Sequence, residues 1–186
     1  MDQQKRGVIG RMRRWLRPFR SGEDGATAVE FGLIAIPFFS LKLAIIETAL
    51  MFWAGQLLEG GVSEAARQIR TGIVQTRGLG PGDFRTMVCN EISNLFDCGS
   101  RLGIEVRTYT SFDDADLNRP PVDGAGNLTG PFRYDPGGPE EIVVVRAFYL
   151  WPLYVNFMAI DAADVAGHQR LLSATMAFRN EPFPEP

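Results

Sequence analysis

Few residues of this chain have the types and spacing that catalysis needs. His168 is the single histidine among 186 residues, and no G-x-S-x-G stretch is present to supply a nucleophilic serine. Cys89, Cys98 and His168 lie at spacings that do not match a zinc site. We therefore predict no catalytic residue, no metal site, no cofactor and no enzymatic activity.

Acidic side chains offer the main alternative chemistry. Asp114, Asp116 and Asn118 have the spacing of the first ligands of a calcium loop, but the glycine and the glutamate that complete such a loop are missing. A solvated acidic loop is the simpler interpretation. A rival hypothesis is an exported enzyme, which would need a pocket that gathers acids such as Asp113, Asp116 and Asp135.

Glu30 is the acidic residue whose position most needs an explanation. It lies five residues after Gly25, where an apolar stretch begins, and a carboxylate at the edge of hydrocarbon costs free energy. The leader before this stretch, residues 1–25, carries seven basic and three acidic side chains, which gives it a net charge of +4. Because the whole chain carries −3, the remainder carries −7. The acidic remainder argues against nucleic acid as a partner, and the basic leader indicates a segment held on the cytoplasmic side of a membrane.

The apolar stretch is long enough to span a bilayer. Residues 31–54 would form a helix about 36 Å long, against a hydrocarbon core of about 30 Å. Lys42 and Glu47 interrupt it, and their spacing of five residues places them on different sides of a helix. Glu30 lies still further from Lys42, so we expect the partners of all three charges on another chain. The alternative is a buried helix of a soluble domain, with these charges at its rim.

Helical periodicity continues beyond the apolar stretch. Apolar residues recur at helical spacing as far as Gly72, which is a plausible end of the helix. Asp83 is placed to cap a short helix over residues 84–96. The first part of the long helix suits lipid or other apolar helices, and its second part has one apolar face that a domain could cover.

The rest of the chain predicts a small sheet. Alternating or β-branched sequences predict three strands, over residues 103–112, 141–151 and roughly 171–179. The second is apolar enough to be the central strand, and Pro152 ends or bends it. Arg146 lies inside that strand, and we expect it to pair with an acid across the sheet. The chain therefore belongs to the α+β class, with a long N-terminal helix packed on a small antiparallel sheet with short helices. The predicted organisation is a leader over 1–25, a helix over 26–72 and a domain over 73–186.

Cys89 and Cys98 both follow the apolar stretch. If that stretch crosses a membrane, the two cysteines lie in an oxidising compartment, where disulfides persist. A bond between them would close a ten-residue loop and contribute roughly 2–3 kcal/mol to stability. The alternative is a pair of reduced, buried cysteines.

The junction between leader and helix resembles a known pattern. A basic leader ends at Gly25, four residues follow, and then come Glu30, Phe31 and the apolar helix. This order resembles the class III leader of type IV-like prepilins, and more closely the Tad (tight adherence, Flp) branch. The later stretch "EAARQIRTG" and the terminal "FRNEPF" are similar to TadE-like minor pseudopilins.

The resemblance implies a processing event and a set of partners. A membrane prepilin peptidase would cut between Gly25 and Ala26, and Glu30 would meet the new N-terminal ammonium of a neighbouring subunit. Other pilins or pseudopilins, inner-membrane assembly proteins and membrane lipid would be further partners, with Phe31, Lys42 and Glu47 among the helix contacts.

The resemblance also implies a fold, a function and a location. The fold would be pilin-like, and the chain would be a minor pseudopilin that helps initiate or cap a pilus used for surface adherence. It would lie in a bacterial inner membrane with its N-terminus cytoplasmic and its domain periplasmic, and it could join the surface pilus. The alternative is an uncleaved, single-pass, membrane-anchored protein whose periplasmic domain binds a ligand or acts as a scaffold.

Overall fold

The computed structural model describes residues 23–93, 95–115, 122–123, 127–154, 163, 165 and 167–184. Most of the leader predicted over residues 1–25 lies outside the described residues. So do Asp116 and Asn118 of the calcium-like stretch, and so does most of the connection between the second and third strands.

Helices come first along the chain and strands follow. The helices are α1 (Glu23–Arg70), α2 (Ile73–Thr76) and α3 (Pro81–Ile92). The strands are β1 (Leu102–Tyr109), β2 (Ile142–Pro152) and β3 (Gln169–Arg179), with a short 3₁₀ turn at Phe112–Asp114. The strands form one antiparallel sheet in the order β1-β2-β3. The predicted α+β class and the long N-terminal helix are confirmed.

The chain forms two compact units, Met1–Ile45 and Ile46–Pro186. In the described part of the first unit, α1 carries large apolar side chains that are more than half exposed on every side of the helix. They are Val29, Phe31, Leu33, Ile34, Ile36, Phe38, Phe39, Leu41, Leu43 and Ile45. Among the described residues, α1 is the one helix long and apolar enough to cross a membrane. Pro37 is accommodated inside it, and the Ser40 hydroxyl donates to the Ile36 carbonyl oxygen at 2.6 Å.

In the second unit, α1 is amphipathic and packs on the sheet. Its buried face carries residues spaced three or four apart, namely Ala54, Leu58, Val62, Ala65, Ala66 and Ile69. This face joins one hydrophobic core with α3 and with the β2 side chains that point toward the helices. Gly61 allows close contact with α3, since a Cβ atom there would lie 2.7 Å from the Ile92 Cγ2 atom. Two adjacent glycines, Gly60 and Gly61, lower the helix propensity of this segment. The contact with α3 explains why the second of them is a glycine.

The end of α1 is determined by Gly72 and by the C-terminal tail. Gly72 has a φ of +76°, which an L residue rarely adopts, and the Phe183 ring lies directly against it. The Glu181 backbone N–H donates to the Arg70 carbonyl oxygen at 2.8 Å, and so satisfies one of the last carbonyls of the helix. The C-terminal tail therefore holds the C-terminal end of the long helix.

The start and end of α3 differ from the prediction. The helix is capped by Gly80, begins at Pro81 and ends at Ile92, so the prediction of Asp83 as the cap is wrong. Proline suits the first helical position because it has no N–H to satisfy there. Asp83 lies two residues further on, and its carboxylate accepts a hydrogen bond from the Gly80 N–H at 2.9 Å. The prediction that a helix starts near Asp83 is therefore correct, but the Asp83 carboxylate accepts its hydrogen bond from within the first helical turn and not from the cap position.

The central position of β2 is confirmed. Every residue of β2 from Ile142 to Trp151 is buried, and the strand ends at Pro152 as predicted. The pattern of β1 is less regular than the alternation predicts, because Glu105 on its outer face is also buried. Glu105 lies opposite Arg146 in the register of the sheet. The outer face of the sheet is therefore covered at this position, whereas the alternation implies that it faces solvent.

Candidate functional site

The predicted cleavage junction lies in α1. The described part of the helix begins at Glu23, so the peptide bond between Gly25 and Ala26 lies in helical backbone. A Cβ atom added at Gly25 would meet nothing within 4 Å. Packing within the described chain therefore does not require a glycine at this position.

Glu30 and Phe31 follow the junction by about one helical turn. Both side chains are exposed, and Phe31 is 69% exposed. Glu30 stands four residues after Ala26, a spacing that places two residues on the same face of a helix. Helical side chains also lean toward the N-terminus, which directs the Glu30 carboxylate toward the Ala26 end.

The other two predicted helix charges have different surroundings. Lys42 is exposed among apolar side chains, and about 18 Å of helix separates it from Glu30. Glu47 accepts a hydrogen bond from the Tyr154 backbone N–H at 2.5 Å. This carboxylate therefore has a partner in its own chain, whereas the sequence led us to expect one on another chain. Tyr154 is 107 positions away in sequence, so no local signal could have found it.

The predicted disulfide between Cys89 and Cys98 is present. It joins α3 to the turn before β1, and the two Cα atoms are 6.1 Å apart. Arg85 on α3 reinforces the same connection, because its guanidinium donates to the carbonyl oxygens of Leu102, Cys98 and Gly99. These bonds hold the start of β1 against the helices.

The predicted cross-strand pairing of Arg146 is also confirmed. Its guanidinium lies 3.8 Å from the Glu105 carboxylate and also packs over the Phe148 ring. Arg107 donates to the same carboxylate. The sequence did not predict Phe132, whose ring would collide with any side chain at Gly103 and which stacks on Phe148. This cluster fills the outer face of the sheet, and we assign it a structural role.

The acids named in the enzyme hypothesis do not converge in the described residues. Asp135 accepts hydrogen bonds from the Thr108 hydroxyl at 2.6 Å and from the Gly137 N–H at 3.3 Å. It lines a cleft beside Arg107 and Arg133, whereas Asp113 belongs to the separate 3₁₀ turn. Within the described ranges, no group of three or more histidine, cysteine, aspartate or glutamate side chains could hold a metal ion.

Tyr134 is a half-buried titratable group that sequence reasoning did not single out. Its hydroxyl donates to the Leu79 carbonyl oxygen at 3.2 Å, and its ring contacts Phe84. Burial raises the pKa of Tyr134 to about 12, and the negative charge of Asp83 adds to the rise. Tyr134 therefore belongs to the packing between loop and helices rather than to a reactive site.

These features define a class of protein, in which one N-terminal helix of the described residues is able to cross a membrane and an α+β domain follows it. Within that class, residues 25–67 match the model of the family described as TadE-like protein. The match begins at Gly25, includes Glu30 and ends within the Ala65-Ala66-Arg67 stretch, so the resemblance is confirmed over this segment. No curated protein and no solved structure matches the chain significantly. The family match indicates involvement in the Tad pilus, and the apolar helix is consistent with a membrane-anchored component.

Proposed function

We propose that this chain is a minor pseudopilin of a Tad-type pilus, cut by a prepilin peptidase between Gly25 and Ala26, which helps initiate or cap fibre assembly. The observation that carries the proposal is the TadE-like match that starts at Gly25, on a helix whose first part exposes apolar side chains all round. An apolar surface of this kind needs lipid or other apolar helices around it.

The surroundings of Gly25 support processing at this bond. Glycine lowers helix stability by about 1 kcal/mol relative to alanine, so it makes the helix at the junction easier to open for a peptidase. No packing contact among the described residues accounts for the glycine, and a peptidase active site that must approach the scissile bond would account for it.

Cleavage would also give Glu30 its partner. The cut creates an ammonium at Ala26, at the positive end of the helix dipole, where a nearby carboxylate is favourable. Glu30 of the same chain or of a neighbour can reach this position. In a low-dielectric bundle the pair offsets its desolvation only when both charges are present and well placed. Glu30 thus favours the assembly of cleaved subunits over uncleaved ones, and it favours one register between neighbouring helices.

The remaining parts of the proposal concern location and partners. The basic leader would remain in the cytoplasm, the apolar part of α1 would contact membrane lipid, and the domain would lie in the periplasm. Lys42 would pair with a carboxylate of another pilin or pseudopilin helix, or of an inner-membrane assembly protein. We assign no enzymatic activity, no cofactor and no nucleic acid partner.

The first experiment determines the N-terminus of the protein extracted from membranes. Mass spectrometry should find a chain that starts at Ala26. A functional protein that still starts at Met1 would contradict the proposal and favour an uncleaved anchor with a ligand-binding or scaffold domain.

The second experiment tests the ion pair. Glu30→Ala should be cut normally, yet its amount in the assembled fraction should fall about tenfold or more, because the new ammonium would be buried without a carboxylate. Glu59→Ala, on an exposed position of the same helix, is the matched control and should assemble normally. Normal assembly of Glu30→Ala would show that the ion-pair account is wrong.

A further inference from the structure

The two edges of the sheet are covered differently. At the edge of β1, the Val106 N–H donates to the Arg133 carbonyl oxygen at 2.8 Å, and the Asp135 N–H donates to the Val106 carbonyl oxygen at 3.0 Å. A parallel bridge between Val106 and Tyr134 completes this cover. At the edge of β3, a bridge from Val165 reaches only the first residue, Gln169. Along residues 173–179, no described residue pairs with the outer edge of the strand.

The open edge lacks the features that usually protect an edge strand. Natural sheets discourage pairing with other chains by placing charges, prolines or bulges on exposed edges. Within the open stretch, residues 173–178 read "SATMAF" and contain no charge, no proline and no glycine, and Arg179 is its one charged residue. Ser173, Thr175 and Ala177 on the outer face of the strand are exposed. This segment therefore has the composition of a strand that pairs with another strand.

A groove runs beside the same edge. It encloses about 240 Å³ between α1 and β3, with Met176 and Phe178 on the strand side and Arg67 and Arg70 on the helix side. Arg67 pairs with Glu64 at 2.9 Å and Arg70 pairs with Glu181 at 3.3 Å, and all four side chains are largely exposed. Exposed pairs of this kind contribute little and can exchange partners. The groove thus offers apolar contacts together with two guanidinium groups, and the Glu64 carboxylate that pairs with Arg67 also lines it.

We propose that an extended segment of a different subunit, apolar and carrying at least one carboxylate, pairs with β3 as an added strand and fills this groove. Main-chain hydrogen bonds along the edge would provide affinity, and side-chain pockets would provide selectivity. Residues 26–186 carry a net charge of −7, yet two arginines, Arg67 and Arg70, line the groove beside one acid, Glu64, and Arg179 ends the strand.

A second copy of this chain fits the edge less well. An antiparallel pair of β3 strands needs a two-fold axis perpendicular to the sheet, which reverses the direction of residues 46–70 of α1. Two copies anchored in one membrane could not meet in this way, and this step rests on the proposed function. A parallel, in-register pair would place Arg170 and Arg179 beside the same arginines of the other copy, which is unfavourable.

The test uses the full chain in membranes that contain the other pilus components. A photo-crosslinking amino acid replaces Thr175 at the open edge, and the control replaces Thr110, which is exposed just after β1. The Thr175 position should give an adduct with a different polypeptide, and the crosslinked peptide should contain aspartate or glutamate. Arg67→Glu should reduce this adduct about fivefold or more, whereas Arg67→Lys and Arg77→Glu should leave it unchanged.

Three outcomes would overturn the inference. They are equal adducts at Thr175 and Thr110, an adduct only between copies of this chain, and an adduct that Arg67→Glu does not reduce. Hydrogen exchange gives an independent check, since the amides of residues 173–179 should become protected on assembly.

The N-terminal mass of the same samples separates the two proposals. A chain that starts at Ala26 but gives no adduct contradicts only the added strand, and an uncut chain with the adduct contradicts only the pseudopilin.

Discussion

The two parts of α1 are built for different surroundings, although they belong to one helix. Before Ile45 the large apolar side chains are exposed on every side, whereas from Ala54 onward one face is buried and the opposite face is polar. Both parts belong to one α-helix, so the pattern of side chains rather than the secondary structure makes the difference. An all-round apolar surface needs lipid or other helices, and a one-sided apolar surface needs a domain core.

The charged residues show the same contrast. Glu105 in the second unit is buried beside Arg107 and Arg146, so its charge is balanced within the chain. Among the described residues, no hydrogen bond or ion pair joins the side chains of Glu30 or Lys42 to another group. The buried acid of the domain is therefore neutralised within the chain, whereas Glu30 and Lys42 face the surroundings of the helix.

Among the tests of this contrast, deletion of residues 1–45 should have the largest effect. Because the hydrophobic core begins at Ala54, residues 46–186 should fold without the first unit and remain in solution without detergent. The full chain should require detergent or lipid. Sedimentation and a thermal melt followed by circular dichroism would check both expectations. A truncated chain that precipitates unfolded would show that the first unit contributes to folding of the second.

Two phenylalanines provide a matched pair for the next test. Phe84 is fully buried in the core, whereas Phe38 is 58% exposed on the first part of α1. Phe84→Ala should lower the free energy of unfolding by about 3–5 kcal/mol, because it removes buried surface and leaves a cavity. Phe38→Ala should change it by less than about 0.5 kcal/mol. Urea unfolding in detergent measures both, and similar losses would remove the distinction between the two regions.

Two glutamates provide a smaller contrast. Glu105→Gln should lower the free energy of unfolding by about 3 kcal/mol, because it removes the carboxylate that faces two guanidinium groups in a buried site. Glu30→Gln should leave domain stability unchanged, even if assembly fails. The same urea titration applies. A loss of stability in Glu30→Gln would mean that its carboxylate has a partner within the chain.

The smallest expected effect is a pH dependence that comes from Tyr134. Burial raises the pKa of this tyrosine to about 12 in the folded chain. An unfolded tyrosine has a pKa near 10, so above about pH 10 the unfolded state loses its proton first and stability falls as pH rises. Since Tyr134 is only partly buried, the loss between about pH 8 and pH 11 should be about 1 kcal/mol or less.

Tyr134→Phe provides the control for that measurement. It should be less stable at about pH 8, because it lacks the hydrogen bond to Leu79, and it should lose less stability on the way to about pH 11. Chemical unfolding at several pH values would measure the difference. Identical pH profiles for the two proteins would contradict the assignment of the raised pKa to Tyr134.

Much of the architecture was predictable because it depends on neighbours in sequence. Helical periodicity and strand alternation identified α1, the three strands and the central place of β2. Arg146 was correctly paired with an acid, since a buried guanidinium needs a counter-charge on an adjacent strand. The cap of α3 was assigned to Asp83 because acids are common caps, but Pro81 moved the helix start upstream.

The sequence by itself determined which segment needs an apolar environment, which strand lies in the centre and where the family resemblance begins. These properties follow from the order of side chains along a helix or a strand. Only the tertiary structure decided that Tyr154 binds Glu47, that residues 133–135 cover the edge of β1 and that no described residue pairs with the β3 edge along residues 173–179. Each of these depends on segments far apart in sequence, and local patterns carry no information about which distant backbone groups will meet.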